Sequence, residues 1–222
     1  MPYIGYFQLI SAVDVFVLYD NIKYTKKGWI NRNRMLMNGS DKTFSLPLKQ
    51  ASDYHHVVQR KLSEEYNRAK LLAQFKGAYE HAPYFCSVVP LLQRIVEHTN
   101  DNLFAYIYHS LDLLCSHLGI NTKIIASSCL EVNPDLRGKD RVIALCDTLF
   151  AKKYINPIGG VDLYDKHEFL AHGIKLEFLK SRPFAYNQFE NLFVPSLSIV
   201  DVLMFNSIDR IQELITFGYD LL

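Results

Sequence analysis

The chain has 222 residues, 49% of them hydrophobic and 21% charged, with a formal net charge of +1. That length suits one α/β domain and the apolar content supplies a sizeable core, which excludes disorder. The near-neutral balance argues against a nucleic-acid backbone or an anionic membrane as the main partner.

In chain order, YIGYFQLISA sets Ile4, Phe7 and Ile10 at helical spacing and predicts a short helix. VDVFVLYD, ending in Asp20, is a β-branched and aromatic run of the kind that forms a buried strand. Asn38-Gly39 then separates two β-forming runs, the strongest short-range hairpin signal, so the NRNR segment of KKGWINRNR belongs to the first arm of a hairpin. Residues 63–118 read as helices, with Ser63 as an N-cap and Gly119 as a C-cap, and form an insertion or flank. Alternation returns in TKIIASS, GKDRVIALCDTLFA, KKYINPIGG, DLYDKHEFLAHG and IKLEFLK, and SLSIVDVLMFNSIDRIQELI reads as two helices. Strand–helix–strand order implies parallel pairing. The expectation is one α/β domain over residues 1–222, with a mainly parallel, Rossmann-like sheet, an early β-hairpin and a central helical block.

The opening MPYIGYFQLI lacks the basic start and cleavage pattern of a secretory signal, and no apolar run reaches the ~18 residues of a membrane helix. Cys86, Cys115, Cys129 and Cys146 form no CxxC pair and sit in apolar surroundings, as reduced core thiols do. A soluble, cytoplasmic protein is expected.

The NRNR stretch is the first candidate site. On a strand, Trp29, Asn31 and Asn33 would share one face and Ile30, Arg32 and Arg34 the other. The two guanidiniums would then lie roughly 7 Å apart, a spacing that suits a diphosphate, or a phosphate and a carboxylate. The amides suit sugar hydroxyls or a base edge, with the indole as a flat platform. The plain alternative is a solvated arm whose arginines pair with nearby acids.

YINPIGG places Asn156, Gly159 and Gly160 at a strand's carboxyl end, where ligands of open parallel sheets bind. It matches neither GxGxxG nor the Walker pattern, so the phosphate signal is weak and an ordinary βα turn is the plainer reading. Asp20 is a candidate general base or metal ligand, or else a turn cap. Asp201, an acid in an apolar helical stretch, marks either a site or a structural ion pair. Gln188 in YNQF is placed to read a polar ligand edge, or to decorate the surface. His167 and His172 are five apart rather than the four of HExxH, His55 and His56 are adjacent, and no GxSxG elbow occurs, so no metal centre or classical serine hydrolase is expected.

PYIGYFQLISAVDVFVLYDNIKYTKKGWINRNR, YINPIGGVDLYD and FVPSLSIVDVLMFN, in that order, resemble the WbqC-like proteins over nearly the whole chain. Members are typically encoded among genes for O-antigen and other surface polysaccharides. The resemblance implies a bacterial enzyme that decorates an unusual sugar, by acyl or aminoacyl transfer to a nucleotide-linked amino sugar. It carries over no catalytic residue and no cofactor. Relatives usually begin with a strand of the type IISQPYFFP, so the native product is expected to start upstream of Met1.

A looser likeness is to the nucleotidyltransferase-like superfamily, but Tyr3-Ile4-Gly5-Tyr6 stands where those proteins carry His-x-Gly-His. On these grounds Arg32 and Arg34 would hold phosphate, and Trp29, Asn31 and Asn33 nucleotide or sugar. Asn156, Gly159 and Gly160 would complete the pocket, and Asp20 would deprotonate the attacking amine. The expected partners are a nucleotide-linked sugar and an acyl or aminoacyl donor. A non-catalytic sugar-nucleotide scaffold and an ATP-dependent ligase stand as alternatives.

Overall fold

A computed structural model describes residues 1–190 and 192–222. The first helix, α1 (Ile4–Ser11), buries Ile4, Phe7 and Ile10 as their spacing predicts, and leads into strand β1 (Val15–Leu18). The hairpin follows as β2 (Arg32–Met37) and β3 (Ser40–Ser45), in register from Arg32↔Ser45 to Met37↔Ser40. Its turn puts Asn38 at φ 51° and Gly39 at φ 74°, a left-handed pair that this dipeptide tolerates best.

The helical block consists of α2 (Arg68–Tyr79), α3 (Phe85–Val96) and α4 (Leu103–Leu118). The α2 cap is Asn67, whose Oδ1 accepts from the Lys70 amide at 2.8 Å, and not the expected Ser63. Ser63 instead closes a turn with Tyr66, whose buried ring fixes the chain before the helix starts. Gly119 ends α4 in the left-handed conformation at φ 71°, as predicted. Phe75, Leu92, Leu103 and Leu114 join Phe7, Ile10 and Val200 in the main core, so the block packs into the body of the protein.

The remaining elements are β4 (Lys123–Ala126), α5 (Gly138–Thr148), β5 (Lys153–Pro157), α6 (Lys166–Ala171), β6 (Lys175–Ser181), α7 (Ile199–Phe205), α8 (Ile208–Phe217) and β7 (Tyr219–Leu221). The final strand, three residues long, has too little sequence for a period to be read and was not anticipated.

Parallel pairing is present, but the single Rossmann-like sheet is not. Among the described residues the strands form three small sheets, β1-β4 parallel, β2-β3 antiparallel, and β5-β6-β7 with β5 parallel to β6 and β7 antiparallel to it. Residues of both β1 and β5 line one cavity. The fold is a mixed α/β arrangement.

Two thiols also depart from expectation. Cys115 and Cys146 are buried, whereas Cys86 and Cys129 are exposed. Cys86 lies off the α3 face that buries Val88, Leu91, Leu92 and Ile95, and Cys129 sits in the short turn after β4. No helix of the described residues is long and apolar enough to cross a membrane.

Candidate functional site

The cavity between β1 and β5 has a volume of about 1230 Å³. Its depth is apolar, walled by Leu9 of the first helix, by Val13 in the turn after it, and by Val142 and Leu145 from α5. Its rim collects polar and aromatic groups, namely Tyr19 just past β1, Asn156 near the end of β5, Ser196, and the hairpin's Trp29, Arg32 and Arg34. Of these, Tyr19 and Asn156 lie at the carboxyl ends of β1 and β5, each a member of a parallel pair, where ligands of α/β sheets bind.

Trp29 lies with the arginines, not with the asparagines. The Arg32 guanidinium is 5.4 Å and that of Arg34 is 6.0 Å from the indole centroid. The expected alternation fails there because regular strand begins only at Arg32, and residues 28–31 are bent. Trp29 keeps 60% of its surface exposed, so its ring is available as a platform.

Arg32 donates from Nε to the Gly28 carbonyl at 3.0 Å and from Nη2 to the Lys27 carbonyl at 2.5 Å. Arg34 pairs with Asp41 at 3.3 Å on the exposed hairpin and donates to the Ser196 carbonyl at 3.2 Å. Among the described residues Arg32 has no carboxylate in ion-pairing range, so the rim holds two guanidiniums against one exposed acid.

The asparagines are spent on the fold. Asn31 accepts from the Tyr24 hydroxyl at 2.9 Å and donates to the Leu46 carbonyl at 2.8 Å. Asn33 donates to the Met1 carbonyl at 2.9 Å and accepts from the Arg34 amide at 2.8 Å. Both side chains touch the cavity, yet their polar atoms tie the hairpin to its neighbours.

Asn156 reaches the rim, whereas Gly159 and Gly160 lie in the turn behind it and outside the cavity wall. A Cβ on Gly160 would sit 2.1 Å from Asn156 Nδ2, so the glycine makes room for that amide. Gly159 meets nothing within 4 Å. The glycines therefore shape the turn beneath Asn156, and do not themselves line the hollow.

Asp20 is nearly inaccessible, at 2% exposure. Its Oδ1 accepts from Ser127 Oγ and from the Ser128 amide, both at 2.9 Å, and its Oδ2 from Ser128 Oγ at 2.6 Å. Burial pushes its pKa up, but the donors on Ser128 and Ser127 outweigh that and leave it below the ordinary value. The carboxylate thus fastens the segment just past β1 to the turn after β4, and its lowered pKa weakens its basicity.

Asp201 is fully buried on α7. It accepts from the hydroxyls of Tyr79 at 3.0 Å and Tyr186 at 2.5 Å, and from Gln188 Nε2 at 2.6 Å. Burial raises its pKa, opposed by Tyr186, Gln188 and Tyr79. Gln188 also donates to the Val194 carbonyl and accepts from the Val194 amide, which pins the segment after β6 onto α7. Neither Asp201 nor Gln188 lines the cavity.

Sequence reasoning missed Tyr19, Ser196 and a neighbour of the rim, Arg141. Arg141 is 9% exposed, stacks 5.4 Å from the Tyr19 ring, and donates from Nη2 to the side-chain Oδ1 of Asn21. No motif flags these three, because they come from separate loops and helices.

No solved structure matches the chain. It is 29% identical over 209 residues to the uncharacterized protein Rv1507c of Mycobacterium tuberculosis, covering 91% of this chain and 88% of that protein. The model of the WbqC-like protein family matches residues 1–213. With nearly its whole length matched, the chain belongs to the WbqC-like protein family.

Proposed function

We propose that the protein binds a nucleotide-linked amino sugar at the rim and acts in surface-polysaccharide synthesis, with acyl or aminoacyl transfer to the sugar amine as its reaction. The observation that carries this reading is the stacking of Arg32 and Arg34 on one exposed indole beside a cavity. Guanidiniums match phosphate oxygens bidentately, and an exposed indole suits a base or sugar face. Asn156 supplies a further donor and acceptor at the far side. Asp20 and Asp201 take positioning roles here, since each is buried among donors.

That engagement of both acids favours a second reading, a sugar-nucleotide-binding subunit without its own general base. One titration series separates the two. Isothermal calorimetry with UDP-, dTDP- and GDP-linked amino sugars should detect binding, weakened roughly ten- to a hundredfold in Arg32→Ala or Arg34→Ala if each loses a charge-assisted hydrogen bond worth about 1.5–3 kcal/mol. Mass spectrometry after addition of acyl and aminoacyl donors then reports transfer. Binding without any product supports the subunit, and no binding in the whole panel rejects both.

A further inference from the structure

We propose that Arg141, with the amide of Asn21 and the ring of Tyr19, forms an oxyanion-binding subsite at the carboxyl end of β1, which takes a carboxylate or a phosphate group. It is separate from the ligand site assigned to Arg32 and Arg34, and small anions alone test it.

Arg141 lies in the first turn of α5, with only 9% of its surface exposed. A guanidinium does not shed its proton in a protein, so a full positive charge is buried with the side chain. Taking an ion out of water is costly, and buried charges are therefore ordinarily paired.

This one is not. Its Nη2 donates to Asn21 Oδ1, and its Nε is sealed from water without a partner. Among the described residues no carboxylate pairs with it. Lys139, two positions earlier, takes Glu168 at 2.5 Å, and the adjacent Asp140 forms no ion pair with Arg141. The helix adds to the imbalance, because Arg141 sits near its positive end and Arg137 at the N-cap makes no cap bond. Tyr19 offers a ring 5.4 Å away but no charge, since burial pushes its hydroxyl up to about 12 and keeps it a neutral phenol. Attraction to that ring offsets only part of the cost.

Arg60 shows how the same fold treats a guanidinium that is purely structural. At 3% exposure it donates from Nη1 and Nη2 to the Ala51 and Ser52 carbonyls, at 3.4 and 2.9 Å. The Asp53 carboxylate, held below its usual range first by Lys26, also feels the Arg60 charge. Arg141 has neither backbone acceptors nor a neighbouring acid.

The free donors beside Arg141 are set for an anion. Asn21 Oδ1 takes the Arg141 Nη2 proton and lies 2.6 Å from Ser127 Oγ, which fixes the amide and leaves Nδ2 without a partner among the described residues. Ser127 also bonds Asp20 Oδ1 at 2.9 Å, so the buried Asp20 braces Asn21 from behind. Tyr19 and Val142, the neighbour of Arg141, both line the cavity, which places the subsite at its border. A guanidinium edge with an amide N–H alongside matches the paired oxygens of a carboxylate or phosphate, and repels a cation.

The test is thermal melting of wild type, Arg141→Met and Arg32→Ala at pH 7 and constant ionic strength, in sodium chloride, acetate and phosphate. Phosphate also stabilises proteins by exclusion from their surface, which all three share, so the readout is the difference between them. Wild type and Arg32→Ala should gain about 2–4 °C more than Arg141→Met, saturating with anion concentration. A gain in acetate alone identifies a carboxylate site, in phosphate alone a phosphate site, and in both a general oxyanion site. Equal gains in the three proteins, or a gain lost in Arg32→Ala and kept in Arg141→Met, overturn the proposal. Should Arg141→Met not fold, the Arg141 Nε–H resonance, assigned by its absence in Arg141→Lys, is followed in wild type through the same anion titrations. A saturable shift supports the proposal and an unmoved resonance overturns it.

Discussion

The Tyr79 hydroxyl donates to Asp201 across 3.0 Å and accepts from the Leu36 amide at 2.9 Å, so one phenol links the helical block, the last helices and the hairpin. Tyr79→Phe strands both the carboxylate and that amide. The expected cost is about 1–3 kcal/mol, read as a lower urea midpoint with sugar-nucleotide affinity retained. Lost affinity at unchanged stability would return Asp201 to the ligand site.

The same network sets a pH dependence. Asp201 has a raised pKa in the fold, so its contribution to stability is present in acid and declines as pH rises through the folded value. Asp20 has a lowered pKa, so its contribution is present above the ordinary aspartate value and is lost as pH falls through the lower, folded one. Denaturation midpoints taken across pH should therefore show opposite slopes removed by Asp201→Asn and Asp20→Asn. Loss of the same slope in both variants would contradict the assignment.

Gly160→Ala probes the rim from behind. The new Cβ would displace the end of the Asn156 side chain, a movable group, so stability should fall by no more than about 1 kcal/mol. Ligand affinity should fall as it does in Asn156→Ala. Wild-type affinity in both variants would remove Asn156 from the site.

Thiol reactivity reports the core. Burial pushes Cys115 and Cys146 up to about 11, whereas Cys86 and Cys129 are exposed. A disulfide reagent at pH 8 should titrate two thiols quickly in the native protein and four after unfolding. Fast reaction of Cys146 would show that the cavity wall opens, because Cys146 lines it.

Local patterns made much of the fold legible. The spacing of Ile4, Phe7 and Ile10, the Asn38-Gly39 turn and the Gly119 cap each depend on neighbours within a few residues, and each stands in the structure where the pattern puts it. The family likeness was legible for the same reason, since it rests on contiguous segments. Period-two reasoning failed at Trp29, because alternation holds only while the backbone stays extended and residues 28–31 do not.

What only the tertiary structure decided is how distant groups meet. Asp201 read as a site or as a structural acid, and only the fold brings to it the hydroxyl of Tyr79, 122 residues away. The amides of Asn31 and Asn33 were open to ligands in sequence, and are claimed by Leu46 and Met1 in space. A one-dimensional pattern encodes which face of an element is apolar, because that depends on local geometry. The strand neighbours, the partner of a buried charge and the position of a cavity depend on contacts between remote segments, which packing alone selects.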